Sequence, residues 1–146
     1  MLKNINPLLG PELLSTLRAM GHGDEIAIVD ANYPATSSGR PLVRLDGISA
    51  TEAVSAILSV LPLDDFVPDC AWHMQVVDDP KAEMPIFSEF RDLLKVHGNF
   101  KLSGLERFAF YEKVRSVFAV VVTGEDRLYG NMILKKGIIR PTLLSK

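Results

Sequence analysis

The sequence has a single cysteine, no dominant charge and no long apolar run, and each absence excludes a class of protein. Cys70 stands alone among 146 residues, so an internal disulfide is impossible and a thiolate metal site would lack ligands. We expect this thiol to be buried and inert. The 16 basic and 18 acidic side chains are scattered and nearly balanced, which argues against a nucleic-acid partner.

Motifs of several common enzyme classes are also missing. No segment approaches the roughly 18 apolar residues that span a bilayer, and no charged region followed by an apolar one opens the chain. We therefore expect a cytoplasmic protein without membrane contact. Neither G-x-S-x-G nor G-x-G-x-x-G follows a predicted strand, and no His, Asp and Glu spacing matches a metal motif. We expect no metal and no cofactor.

Apolar periodicity predicts helices and strands that alternate along the chain. Helices are predicted to begin at Pro11, at the capping box of Ser49 and Glu52, and at Pro85, with a shorter one over 106–115. The pattern favours a layered α/β fold with a mixed or mostly parallel sheet, in one domain over 1–146. The strands are predicted at 25–29, 42–45, 70–77, 117–122 and 131–134.

The most unusual local feature is Gly21-His22-Gly23-Asp24, at the junction of the first helix and the first strand. Gly21 is placed to end the helix in a left-handed cap. Flanking glycines let the backbone turn tightly and leave the imidazole accessible, and histidine has the side-chain pKa nearest neutrality. This favours an acid–base role for His22, with an ordinary polar loop residue as the alternative.

Three further clusters carry polar groups. Asp30 follows the first strand, where loops of α/β sheets form ligand crevices, although an Asp that starts a turn is the alternative. Arg107 lies among alternating charged and aromatic residues, where a surface ion pair is the alternative. Tyr129, Gly130 and Asn131 follow Thr123-Gly124-Glu125 and offer neutral donors and acceptors that suit an uncharged polyol, or simply shape a turn.

In this order, from Leu2 through Gly137, the clusters resemble the fucose mutarotase and ribose pyranase (RbsD/FucU) family. The segments that carry the resemblance are spread along the chain. They are PELL from Pro11, MGHGDEI from Met20, Asp30-Ala31 with Pro34-Ala35, RFAFYE from Arg107, TGE from Thr123 and YGN from Tyr129.

The resemblance implies a sugar mutarotase with His22 as the catalytic acid–base residue. It also implies that Asp30, Arg107 and the segment Tyr129, Gly130 and Asn131 bind the sugar. Ribose-type members usually carry His where Arg107 stands, so the chain resembles the fucose type, and L-fucose is the expected sugar. The Asn32-Tyr33 pair departs from the His-Phe or Asn-Phe often found in that type.

The family also implies a ring-shaped homo-oligomer, commonly a decamer, with sites near subunit contacts. Chain geometry agrees, since residues 24–30 in extended form would separate His22 from Asp30 by roughly 20 Å. We therefore expect the site to form between subunits.

Two alternatives stay open, a ribose pyranase-type mutarotase and a non-catalytic monosaccharide-binding protein accessory to sugar uptake. A titrating group at His22 favours an enzyme, because a binding protein has no need of one. Tyr129 is a candidate for the second proton-transfer group.

Overall fold

The computed structural model describes residues 1–142, whose helices and strands alternate as the sequence predicts. The elements are α1 (Pro11–Ala19), β1 (Glu25–Val29), a 3-10 turn (Thr36–Ser38), β2 (Leu42–Leu45), α2 (Ala50–Leu58), β3 (Ala71–Met74), α3 (Pro85–Lys95), β4 (Ser103–Leu105), α4 (Arg107–Val114), β5 (Ala119–Thr123) and β6 (Met132–Lys135). The predicted capping box is present, with Ser49 accepting from the Glu52 N–H and Glu52 reaching back to the Ser49 N–H.

The six strands form one sheet in the order β2-β5-β1-β6-β3-β4. Strand β6 runs antiparallel to both its neighbours, whereas the other pairings are parallel. The carboxyl ends of the five parallel strands therefore share one side of the sheet with the start of β6. We call this side the Asp30 edge and the opposite side the His22 edge.

Alternate residues of β1 feed two separate apolar cores, one on each face of the sheet. Ile26 and Ile28 pack against α1, α2 and α3, whereas Ala27 and Val29 face α4. Because both faces are covered at the centre of the sheet, β5 and residues 26–29 of β1 are buried continuously rather than alternating with exposed polar residues. The layered α/β prediction is thus confirmed, with a sheet that is mixed and mostly parallel.

Some local predictions are wrong. Gly21 does not form a left-handed cap, because α1 ends at Met20 in an extended conformation, and the positive φ of 89° belongs to Gly23. Strand β4 was not predicted, since its three residues contain one large apolar side chain. The strand predicted at 70–77 stops at Met74, and the chain then turns through Asp78 at a φ of 61°.

Two predictions from composition are tested by burial and helix length. Cys70 is buried, and this burial raises the pKa of its thiol to about 11, as expected for an inert side chain. No helix within residues 1–142 has the length and apolar character needed to cross a bilayer.

Candidate functional site

A cavity of about 180 Å³ opens at the Asp30 edge. Asp30 follows β1, Arg107 is the first residue of α4, and Tyr129 and Asn131 precede β6. These side chains meet because the segments that carry them all end or begin at this side of the sheet. The cavity is lined by Asp30, Asn32, Tyr33, Met74, Val77, Arg107, Tyr111, Leu128, Tyr129 and Asn131.

The Asp30 carboxylate is held by backbone donors. It is 4% exposed, and its two oxygens accept from the N–H of Asn32 at 3.0 Å and of Gly130 at 3.2 Å. The Asp30 N–H in turn donates to the Asn131 side-chain oxygen at 2.9 Å. Burial raises the pKa of Asp30, and these hydrogen bonds oppose the rise without cancelling it. The result is a fixed acceptor with lone pairs left for a ligand.

Tyr129 presents its hydroxyl from a strained backbone. Its φ is 62°, in the left-handed region that a non-glycine residue adopts at a cost of about 1–3 kcal/mol. The hydroxyl oxygen accepts from the Val77 N–H at 3.1 Å. Since the N–H uses the oxygen as acceptor, the hydroxyl proton stays free to donate to a ligand.

Arg107 brings donors with no partner in the described chain. Its guanidinium lies over the Phe108 ring at 4.6 Å, and its Nε is buried without a hydrogen-bond partner within residues 1–142. A buried donor left unpaired is costly, so a ligand oxygen at this position would remove the penalty. The rings of Tyr33 and Tyr111 meet edge to face at 5.4 Å and give the cavity an apolar wall.

The TGE segment, in contrast, serves the scaffold. The Thr123 hydroxyl donates to the Val29 carbonyl at 2.7 Å, and a Cβ on Gly124 would lie 2.0 Å from the Asp46 carbonyl oxygen. The buried Glu125 carboxylate accepts from the Ala50 N–H at the start of α2. None of the three residues lines the cavity.

His22 lies at the other edge of the sheet. The five residues of β1 separate it from Asp30 by about 17 Å at the usual strand rise. Its side chain is 43% exposed, and its ring tilts against Phe66 at 5.1 Å. Within one chain, therefore, the structure brings together Asp30, Arg107, Tyr129, Gly130 and Asn131 but leaves His22 apart.

Asp64 is the partner of His22, and no sequence motif indicates it. The Nε2 of His22 lies 3.1 Å from the Asp64 Oδ1, and the Asp64 side chain is only 4% exposed. Burial raises the pKa of Asp64, but the Phe66 N–H and His22 outweigh this and hold it below its ordinary value. An ionised carboxylate can only accept, so Nε2 carries the hydrogen and Nδ1 is the free proton acceptor.

The remaining buried histidine belongs to the core. The His73 ring lies against that of Phe87 at a centroid distance of 4.1 Å and a tilt of 48°, and burial lowers the pKa of His73. Within residues 1–142, no three side chains of the metal-ligating types gather into a group that could hold an ion.

The fold and the cavity define a small α/β protein with a pocket lined by Asp30, Arg107, Tyr129 and Asn131 at one edge of the sheet and an accessible imidazole at the opposite edge. The chain belongs to the RbsD/FucU family, because the model of the RbsD / FucU transport protein family matches residues 3–139.

Close relatives cover almost the whole chain. The fucose mutarotase of Bos taurus is 43% identical over 147 residues, which span 97% of this chain and 96% of that protein. The fucose mutarotase of Homo sapiens is 43% identical, with 94% of each chain covered. The crystal structure of the fucose mutarotase from Streptococcus pneumoniae in complex with L-fucose is similar with a TM-score of 0.89 and 41% identity, over 95% of this chain and 100% of that one.

Proposed function

We propose that this chain, as one domain over 1–146, is a fucose mutarotase, an isomerase that interconverts the anomers of L-fucose. The main observation that supports this function is that one small cavity is lined by Asp30, Arg107, Tyr129 and Asn131. Its volume of about 180 Å³ lies below the roughly 300–1,000 Å³ of pockets for drug-sized ligands, which suits a single monosaccharide. The relatives that share this chain's length point to fucose as the sugar.

The reaction needs only proton transfers. A proton leaves the anomeric hydroxyl, another reaches the ring oxygen, and the bond between the anomeric carbon and the ring oxygen breaks to give the open aldehyde. Rotation of the aldehyde and the reverse transfers then close the ring on the opposite face. Because no electrons leave the sugar, the reaction requires no redox cofactor.

His22 supplies the acid–base step. Its Nδ1 takes the anomeric proton, while ionised Asp64 holds Nε2–H and stabilises the imidazolium that forms. Asp30 and Asn131 orient sugar hydroxyls, and Arg107 donates to ring or hydroxyl oxygens. Tyr129, whose hydroxyl proton is free to donate, is placed to serve the second transfer.

A complete site requires a second copy of the chain, because His22 and Asp30 lie at opposite edges. Both edges expose apolar side chains, Phe66 and Ile139 near His22 and Phe108 and Leu128 near Asp30. Contact between unlike surfaces of identical chains is heterologous, and it gives a ring when the rotation between neighbouring subunits closes and an open filament when it does not. These features support a ring-shaped homo-oligomer, and the family resemblance suggests a decamer.

Saturation-transfer NMR between the anomers of L-fucose tests the activity. We expect faster anomer exchange with the protein than without it, and a sugar panel including D-ribose separates the fucose type from the ribose type. Binding of L-fucose without accelerated exchange would favour the non-catalytic sugar-binding protein and overturn the proposal.

Subunit mixing tests the shared site. His22→Ala and Asp30→Ala subunits are each expected to be inactive, but a reassembled equal mixture should regain about a quarter of the wild-type sites. A mixture that gains no activity, although it forms mixed oligomers by native mass spectrometry, would show that His22 and Asp30 do not act in one site shared between subunits.

A further inference from the structure

The loop between Gly124 and Asn131 carries Tyr129, Gly130 and Asn131 to the cavity without forming a helix or strand. Its end is tied to the pocket by the Gly130 N–H to Asp30 and by the Asn131 side chain. In its middle, residues 126–128 make no hydrogen bond in the described part of the chain except through Arg127. Besides the Tyr129 hydroxyl, which accepts from the Val77 N–H, Arg127 is therefore the residue through which hydrogen bonds hold the middle of this loop.

Arg127 joins two carboxylates from different parts of the fold. Its Nε donates to Glu125 at 2.8 Å, its backbone N–H donates to the same oxygen at 3.2 Å, and its Nη1 pairs with Glu89 on α3. The Glu125 side chain is 2% exposed, whereas that of Arg127 is 39% exposed. Hydrogen bonds from Arg127 hold the pKa of Glu125 below its ordinary value, so the buried carboxylate is ionised.

Glu125 connects Arg127 to the backbone around the pocket. Its carboxylate also accepts from the Ala50 N–H at 3.0 Å, which fixes it to the start of α2. Its carbonyl accepts from the Ala31 N–H, next to Asp30. It also packs beneath Gly130, where an added Cβ would lie 2.8 Å from the Glu125 Cγ. The Glu125 side chain thus supports the peptide whose N–H holds Asp30.

We propose that Arg127 is a positioning residue that, by joining Glu125 to Glu89, keeps the loop 124–131 in its binding conformation before the sugar arrives. We call the ion pairs of Arg127 with Glu125 and Glu89 the clamp. The backbone of Tyr129 has a positive φ, and such a conformation persists only when its surroundings impose it. The expected change in KM rests on the proposed function, whereas the expected change in the conformation of the loop does not.

Arg127→Ala tests the clamp in the full-length protein. Without the clamp the loop samples other conformations, and only the competent fraction binds sugar, so the KM for L-fucose should rise about tenfold. The kcat should change less than about twofold, because bound sugar restores the loop. In sugar-free protein, the Gly130 amide should exchange its hydrogen about tenfold faster.

A matched control comes from α3 itself. Arg91 pairs with Glu83 through two hydrogen bonds at 2.7 and 2.9 Å, in an ion pair that does not contact the loop. Arg91→Ala should leave the KM and the Gly130 exchange rate unchanged. Arg127→Lys keeps the charge but not the two-pronged geometry, so it should restore part of the wild-type KM.

Two further variants keep the test decisive if Arg127→Ala does not fold. The double variant Glu125→Gln with Arg127→Met removes the charge pair but keeps an acceptor for Ala50, and its KM should also rise about tenfold. Glu89→Gln removes the outer half of the clamp and should raise the KM by a smaller factor.

The outcomes separate the two proposals. A folded Arg127→Ala or double variant with wild-type KM and wild-type Gly130 exchange would overturn the clamp, as would a fall in kcat without a change in KM. If the wild type exchanges no anomers, the proposed mutarotase function fails, while the Gly130 amide still reports on the clamp.

Discussion

The two edges of the sheet differ in how completely they are built. At the Asp30 edge, the carboxylate is buried and each of its oxygens accepts a backbone N–H. At the His22 edge, the imidazole makes one hydrogen bond within residues 1–142 and is 43% exposed. The chain therefore carries a cavity with a buried, hydrogen-bonded carboxylate at one edge and an accessible imidazole at the other.

This contrast follows from the work each edge is proposed to do. Orienting a sugar requires acceptors and donors fixed before binding, since ordering them afterwards would weaken affinity. Transferring a proton requires a group that reaches the sugar and titrates near neutral pH, which burial would prevent.

Removing the imidazole should have the largest effect. We expect His22→Ala to lower the rate of L-fucose anomer exchange by about 10²–10⁴-fold, the usual contribution of a general acid–base group. The melting temperature should hardly change, because the ring is half exposed. The exposed His97 supplies the control, and His97→Ala should keep full activity. Exchange by His22→Ala within twofold of wild type would refute the role.

A variant that keeps the imidazole but disturbs its orientation should lose less activity. Asp64→Asn replaces a pure acceptor with an amide that can donate to Nε2, which favours the wrong tautomer. We expect kcat to fall about 10–100-fold, by analogy with the loss of a carboxylate partner that orients a metal-ligating histidine. Asp65→Asn is the matched control, since Asp65 is half exposed and pairs with Arg140. Equal rates for both variants would contradict a special role for Asp64.

The Asp30 edge should show its own dependence on pH. Burial raises the pKa of Asp30 above the ordinary value of 3.8, so its carboxylate takes up a proton before an exposed one does as pH falls. Protonation of Asp30 removes acceptors for the sugar. The KM for L-fucose should therefore rise as the pH falls, with a midpoint above pH 3.8. The KM, measured apart from kcat, should be constant well above this midpoint. A midpoint below 3.8 would show that Asp30 is not desolvated.

The smallest effect should come from a single methyl group under the pocket. Gly130→Ala places a Cβ 2.8 Å from the Glu125 Cγ and 3.1 Å from the Ile86 Cδ1, and we expect it to cost about 1–3 kcal/mol of unfolding free energy. The KM should rise a few-fold. Gly47→Ala meets no atom within 4 Å and should change stability by less than about 0.5 kcal/mol in urea unfolding. Equal stability of the two variants would mean that the Glu125 side chain yields easily.

The features that local sequence predicted are those that local forces determine. Capping at Ser49, the prolines that begin α1 and α3, and the β-branched run in β5 all act over a few residues. Asp30 was expected to lie in a crevice after the first strand, and it lines the cavity together with Asn131.

The features that sequence could not predict depend on topology. The contact of His22 with Asp64 joins residues 42 positions apart, and it requires the chain after α2 to return beside the start of β1. Strand β4 exists because β3 offers it a pairing partner, with Trp72 opposite Ser103. The positive φ belongs to Gly23, which lies outside α1 and whose N–H donates to the distant Lys136 carbonyl.

Strand β6 touches both halves of the proposed reaction centre. Asn131 precedes it at the Asp30 edge, and Lys136 follows it at the His22 edge, where its amine donates to the last carbonyls of α1. Adding or deleting one residue in β6 would turn its side chains to the wrong faces and displace one of these ends. Strand β6 should consequently tolerate insertions and deletions far less well than the turn around Thr36. In a library of length variants, changes in β6 should abolish folding or activity more often than changes near Thr36.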